Sequence, residues 1–340
     1  MRRMHFAMTL LSASVLLCAN ARADEDPDSE AQCEQIAPLM DGEDFKALDA
    51  MAEQLRDGAR NRSGALKIAR FYICMSRHIG TERQDVQHWN TWTEWAARWV
   101  KQSPRSPAAH IMSARVPLNL AWSYRGGGYS AEVGAQDWAP FREYTAVASD
   151  YLQANKAVAK RDPYWYEMAA LIALREDGEP SRIMAVFDEG TQAFPAYDPL
   201  YLMVMANFTP HWHGDVQQME DFAQRALLRA PKKQRAALYA RMYWSATDSL
   251  PGQEVFQHSQ VDWPLMRRGL EDITSQYPTD WNLLAATRYA CLASDIPMLR
   301  KWSHGHLLSR GIEETAIQRY LTVPDETLRR TCPALGSFQG

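Results

Sequence analysis

Residues 183–199 read IMAVFDEGTQAFPAYDP and residues 266–280 read MRRGLEDITSQYPTD. Each stretch is an apolar stripe that runs into a proline and then into a new helix start. Ile183, Phe187 and Gly190 stand twelve, eight and five residues before Pro195, and Met266, Leu270 and Ile273 stand at the same offsets before Pro278. Three more prolines have the same approach: Trp92, Ala96 and Trp99 before Pro104; Tyr151, Asn155 and Val158 before Pro163; Met219, Ala223 and Ala226 before Pro231. Steps of four and then three keep these side chains on one helical face, and proline stops the helix because it has no N–H to donate. New starts follow at Asp162-Pro163, Asp198-Pro199 and Thr279-Asp280.

This is the grammar of an all-α, tetratricopeptide-like array of helix-turn-helix repeats, an α-solenoid. The intervals between the five prolines are 59, 32, 36 and 47 residues, so the repeats are divergent. No alternating Val/Ile/Thr segment suggests a strand, and no Gly/Ser-rich or Pro-rich linker follows residue 35. One continuous helical domain over residues 36–308 is expected, with residues 309–340 as a C-terminal tail stapled to the last repeat. The acidic stretch 24–35, DEDPDSEAQCEQ, reads as a flexible lead-in.

Working outward, Phe45, Leu48, Met51 and Leu55 share one helix face, and Ser63 is a candidate N-cap for a helix carrying Leu66, Phe71, Tyr72 and Met75. Trp89, Trp92, Trp95 and Trp99 lie on a third helix. Ser106-Pro107 reads as N-cap and first residue of a fourth that passes Pro117. A long helix is expected from about Asp137 to Lys160, and inserts at 123–135 and 248–260 are the places for specialised surfaces.

The N-terminus has the layout of an export signal over residues 1–23. Arg2 and Arg3 precede an apolar run from Phe6 to Cys18, and Ala21-Arg22-Ala23 forms a small-x-small cleavage site. Leu17 stands before Cys18 where a lipoprotein signal needs a small residue. Cleavage would take the formal charge from −4 to −7, since losing Arg2, Arg3 and Arg22 leaves 34 Lys plus Arg against 41 Asp plus Glu. Scattered charge of this sign argues against nucleic acid as a partner, and no segment is apolar for long enough to span a membrane. The expected location is the periplasm or the exterior.

An oxidising compartment gives meaning to the remaining Cys33, Cys74, Cys291 and Cys332. Four cysteines allow three connectivities. Pairing Cys33 with Cys74 and Cys291 with Cys332 staples each end of the chain, where an array lacks a neighbour. There is no Cys-x-x-Cys.

Several landmarks fall in an order that resembles the bacterial family known as domain of unknown function 4034. They are Ala121-Trp122 through Arg125-Gly126-Gly127-Gly128-Tyr129, Asp162-Pro163-Tyr164-Trp165-Tyr166, Trp212 with Gly214, Asp262-Trp263-Pro264, Trp281-Asn282 and Ala290-Cys291-Leu292-Ala293. The resemblance spans roughly residues 40–305 and implies a tetratricopeptide-like helical fold. It implies no activity, substrate or catalytic residue. His211 and His213 beside Trp212, and the tail beyond Gly305, depart from the family pattern.

Candidate chemistry is sparse. His211-Trp212-His213 and His304-Gly305-His306 could each offer two rings to a metal, with Asp215 or Glu220 beside the first pair, but no third ligand stands at motif spacing. No H-E-x-x-H, G-x-S-x-G or S-x-x-K occurs, and no cofactor motif is present. Gly126-Gly127-Gly128 reads as a chain reversal, and as a ligand-contacting turn in the alternative, with Arg125 gripping a carboxylate between Trp122 and Tyr129. The three rings Tyr164, Trp165 and Tyr166 cannot all face one core, so Trp165 and Tyr166 join Trp122, Arg125 and Tyr129 as groove-binding candidates. The function these features suggest is a binding or scaffolding module for another envelope protein or a peptide segment. A metal-dependent hydrolase on a helical scaffold and a glycan or peptidoglycan binder are the alternatives.

Overall fold

The computed structural model describes residues 27–83, 85–126, 133–176, 178–210, 214–247, 249–250 and 255–321. Its helices are α1 (Pro27–Asp41), α2 (Phe45–Leu55), α3 (Lys67–Ile79), α4 (Val86–Gln102), α5 (Pro107–Arg125), α6 (Trp138–Ala154), α7 (Lys156–Ala159) and α8 (Tyr164–Glu176). They continue as α9 (Pro180–Ala193), α10 (Asp198–Asn207), α11 (Val216–Arg229), α12 (Arg235–Thr247), α13 (Trp263–Gln276), α14 (Asp280–Leu292), α15 (Ile296–Trp302) and α16 (Glu314–Leu321). Among the described residues there is no strand, only an isolated bridge between Arg60 and Leu66. The fold is all-α.

The proline punctuation sets the helix ends. α4, α9, α11 and α13 each stop two residues before Pro104, Pro195, Pro231 and Pro278. Residues preceding proline are pushed out of the α region. Ser103, Phe194 and Tyr277 take nearly one conformation, with φ of −129°, −134° and −132° and ψ of 67°, 68° and 70°. Each still donates its N–H to the carbonyl four residues back: Trp99, Gly190 and Ile273 respectively. Several starts are capped as their residue types predict. Ser106 accepts from Ala109 N–H, Thr279 from Asn282 N–H and Asp262 from Leu265 N–H. Asp198 instead is the first residue of α10, whose N-cap Tyr197 makes no side-chain cap. The stripes before Pro104, Pro195, Pro231 and Pro278 become core, with Trp99, Phe187, Ala223 and Leu270 all fully buried. Tyr151, Asn155 and Val158 before Pro163 are only half-buried, because the helix breaks at Asn155.

The indoles of α4 knit the N-terminal helices together. Phe45 stacks on Trp99, with ring centroids 5.6 Å apart, and meets Trp95 edge-on at 5.5 Å. Trp95 donates Nε1–H to the Met40 carbonyl and Trp99 donates to Asp49, so both polar edges are satisfied inside the core.

Four local expectations need correction. The stretch expected as a flexible lead-in is helical from Pro27 onward, because α1 has an apolar edge at Ile36 and Met40 that packs on α3. The long helix expected through Lys160 is broken at Asn155, whose side chain caps the Tyr151 carbonyl, and resumes as α7. Ser63 caps no helix: α3 begins at Lys67, and Ser63 lies in the preceding loop. The helical body extends past residue 308 to α16, whose Ile317 is buried and which packs on α14.

Cys33 and Cys74 form a disulfide that joins α1 to α3. Cys291 is also disulfide-bonded, while Cys332 lies outside the described residues.

Consecutive helices pack side by side, and next-but-one helices also touch, as in α1 with α3, α3 with α5, α6 with α8, α8 with α10 and α10 with α12. The chain also folds back on itself. The loop between α2 and α3 reaches α10, α12 and α14, where the Ser63 carbonyl accepts from Arg241 at 3.3 Å and from Asn282 at 3.1 Å. A straight array could not bring residues 63 and 282 together.

Candidate functional site

The α2–α3 loop is built to enter this inner space. Asn61 closes it by accepting from the Ser63 hydroxyl and the Ala65 N–H, and Arg60 bridges across to Leu66. Gly64 turns it at φ +85°, a left-handed conformation that favours glycine. Any Cβ at Gly64 would lie 2.6 Å from both the Arg241 guanidinium and the Tyr277 ring, so this residue permits the close approach as well.

The loop lays Arg60 against the start of α10. The Arg60 guanidinium donates to Asp198 at 2.9 Å, to the Gly64 carbonyl at 2.7 Å and to the Ala196 carbonyl at 3.2 Å. Asp198 belongs at that place, since a carboxylate is favoured in the first turn of a helix. Arg241 of α12 comes to the same carboxylate oxygen from the other side, at 4.0 Å. Burial disfavours the charge on Arg241, Asp198 favours it, and the neighbouring Arg60 charge disfavours it again.

Arg60, Asp198 and Arg241 line a cleft of about 60 Å³ between α10, α12 and α13. Its walls are Pro195, Ala237, Leu238 and Ile273 with the rings of Tyr201 and Tyr277, and Gln234 and Gln276 stand at its exposed rim. The lining holds two guanidiniums and one carboxylate, so it carries a net positive charge. A second, more open cleft of about 430 Å³ lies between Arg56, Arg105 and Arg161. Its lining carries Asp49, Glu53, Arg56, Arg105 and Arg161. Arg56 pairs with Glu53 and with Asp162 behind it, Asp49 accepts from Ser106 and Trp99, and Arg161 donates to the Arg105 and Val158 carbonyls.

Of the residues singled out in the sequence, Trp122 and Arg125 do meet, with the guanidinium carbon 5.5 Å from the indole centroid. Arg175 approaches the same ring at 5.1 Å. Arg125 is buried, which lowers its pKa, and it donates to the Gly126 carbonyl. Gly126 has φ +66° and caps α5, while Gly127 and Gly128 lie outside the described residues. Tyr129, His211 and His213 lie outside the described residues. His304 and His306 lie on a helical turn, where residues two apart point different ways. Among the described residues no three His, Cys, Asp or Glu side chains group as metal ligands.

Trp165 and Tyr166 are not groove residues. Tyr164, Trp165 and Tyr166 are all buried, because α8 is walled by neighbours on several sides rather than one. Tyr164 stacks on Tyr72 of α3 at 4.3 Å. Trp165 donates to the Leu152 carbonyl of α6 under the Lys156 ammonium, and Tyr166 packs toward Phe194 after α9. Beside them Asp162, fully buried, accepts from Tyr72 at 2.8 Å and from the Tyr164 N–H at 3.0 Å, with the Arg56 guanidinium 3.1 Å away. Burial raises its pKa to about 6 against these favourable contacts. Glu167, one turn on, is raised to about 7 by burial although Tyr197 donates to it at 2.6 Å. These carboxylates tie helices together.

Sequence reading did not find the Arg60–Asp198–Arg241 group, whose members are separated by up to 181 residues. The one available signal was Asp198-Pro199, noted only as a helix start. No family model, curated protein or solved structure matches the chain. No helix among the described residues is long and apolar enough to cross a membrane.

Proposed function

We propose that this chain is an exported helical-repeat binding or scaffolding module of the bacterial cell envelope, which holds a segment of another envelope protein in the inner cleft of a tetratricopeptide-like array. The observation that carries this reading is the cleft itself: apolar and aromatic walls around a cationic floor, at the place where the helices converge. Such a combination of flat surface and fixed charge suits an extended segment or a helix end. The repeated proline stops and the contacts between next-but-one helices support the array, and so does the resemblance set out above. The leader-like residues 1–23 and the Cys33–Cys74 bond support export, because disulfides persist in oxidising compartments.

The test is site-specific photo-crosslinking in the exported full chain. A photoreactive residue at Gln234 or Gln276 on the cleft rim should give discrete adducts with an envelope protein. The same residue at Val86, 75% exposed and on α4, should not. Adducts equal at all three positions, or none at the rim, would overturn the assignment of the binding surface.

A further inference from the structure

We infer that the cleft between α10, α12 and α13 is a receptor for a single carboxylate group, with Arg241 as its ligand and Arg60 as a fixed positive charge in its wall; this rests on the binding role proposed above and names what is bound. Arg60 spends three hydrogen bonds on Asp198, Gly64 and Ala196, which fixes it as part of the wall. Arg241 is held by the Ser63 carbonyl at 3.3 Å and reaches Asp198 only at 4.0 Å, outside hydrogen-bond range. Five N–H groups fan from a guanidinium, so Arg241 keeps donors for a further acceptor.

Both arginines are also largely withdrawn from water, with side-chain exposures of 18% and 17%, and Asp198 is at 14%. Two like charges sharing one counter-charge in such a place are stabilised by an entering anion. The net charge to be neutralised is one, which a carboxylate matches and a phosphate dianion overshoots. Size agrees. A cleft of about 60 Å³ leaves room for a small polar head such as a carboxylate between the two guanidiniums. Leu238, Ile273 and Tyr277 would flank the carbon chain behind the head. An acidic side chain and a chain-terminal carboxylate share this chemistry.

The experiment follows the arginine Nε–Hε signals of the full chain by NMR during titration with defined probes. These are acetate, N-acetyl-aspartate N-methylamide, a tetrapeptide with a free C-terminus, that tetrapeptide as its C-terminal amide, and inorganic phosphate. Saturable shifts of Arg241 are expected with the carboxylates and not with the amide. The stronger of the two peptide probes tells a side-chain source from a terminal one. Arg241→Gln should weaken binding about tenfold or more, as loss of a charge-assisted hydrogen bond implies. Asp198→Asn should tighten it, because the competing carboxylate is gone while the shape remains. Arg241→Lys, which keeps the charge but not the fork, should fall between and serves if Arg241→Gln does not fold.

Absence of any saturable carboxylate shift sinks the inference, as does phosphate binding more tightly than every carboxylate. Weakening by Asp198→Asn to the level of Arg241→Gln also sinks it, since that is the behaviour of a merely structural pair. The two proposals fail separately. Rim adducts that survive in Arg241→Gln would leave the binding role standing and remove the carboxylate, while carboxylate shifts without rim adducts would do the reverse.

Discussion

Cutting the Cys33–Cys74 bond should cost the protein about 4 kcal/mol, and the structure says where the loss will be felt. The bond closes a loop of 41 residues that contains α2 and the cleft-forming loop at Arg60. In the chain-entropy account, opening a loop of that length returns about 4 kcal/mol of freedom to the unfolded chain. At roughly 2.1 cal/mol/K of unfolding entropy per residue over about 300 residues, this corresponds to a fall in Tm of about 6 °C. Cys33→Ser is the apt variant, because Cys33 is only half-buried and a hydroxyl there can reach water, whereas Cys74 is buried. Urea unfolding should be run on wild type and Cys33→Ser, with and without reductant. The variant should be weaker under oxidising conditions and equal to wild type in reductant. Amide exchange should then quicken first in α1, which would still be held by Ile36 and Met40, by Trp95 donating to the Met40 carbonyl, by the Gln32 side chain donating to the Lys67 carbonyl and by the Asp41–His78 contact. The reasoning is refuted if oxidised Cys33→Ser matches oxidised wild type within 0.5 kcal/mol, or if the two differ equally in reductant.

Two further outcomes are expected. Stability should fall as pH rises from about 4 to 7: Asp162 and Glu167 have folded pKa values raised to about 6 and about 7, so the unfolded chain releases these protons first. Asp162 alone accounts for about 3 kcal/mol of that slope. Glu43 and Glu189, whose pKa values are lowered by Arg98 and by Lys156 and Lys160 respectively, act in the opposite sense at lower pH. Urea midpoints at pH 4, 5.5 and 7 for wild type and Asp162→Asn check this, and an unchanged slope in the variant would refute it. Gly269→Ala should destabilise by about 2–3 kcal/mol, because its Cβ would sit 2.0 Å from the Ala236 carbonyl oxygen and wedge α12 from α13. Gly305→Ala, with nothing within 4 Å, should cost nothing in the same thermal melts.

Much of the architecture was legible because helix periodicity is a local code. Phe187, Ala223 and Leu270 are core in the structure for the reason they form a stripe in the sequence, and Ser103, Phe194 and Tyr277 leave the α region because proline follows each one. The Cys33–Cys74 pair was legible too, since both residues belong to one end of the chain. α1 was misread because its acidic face hid a narrow apolar edge at Ile36 and Met40, which only a partner helix makes worthwhile. Tyr164, Trp165 and Tyr166 were misread because a sequence shows how many faces a helix has but not how many neighbours surround it.

By itself, then, the sequence determined an all-helical chain, the proline stops that end α4, α9, α11 and α13, and the stripe that buries each of those four helices. These depend on interactions between residues three or four apart, whose geometry the backbone fixes. The tertiary structure alone decided that the loop after α2 crosses to α14, and so that Arg60, Asp198 and Arg241 share one cleft. That outcome is the accumulated result of many small packing angles between successive helices, each set by side-chain shape across an interface. No local signal records such a sum, which is why the chemistry of the cleft was invisible until the helices were stacked.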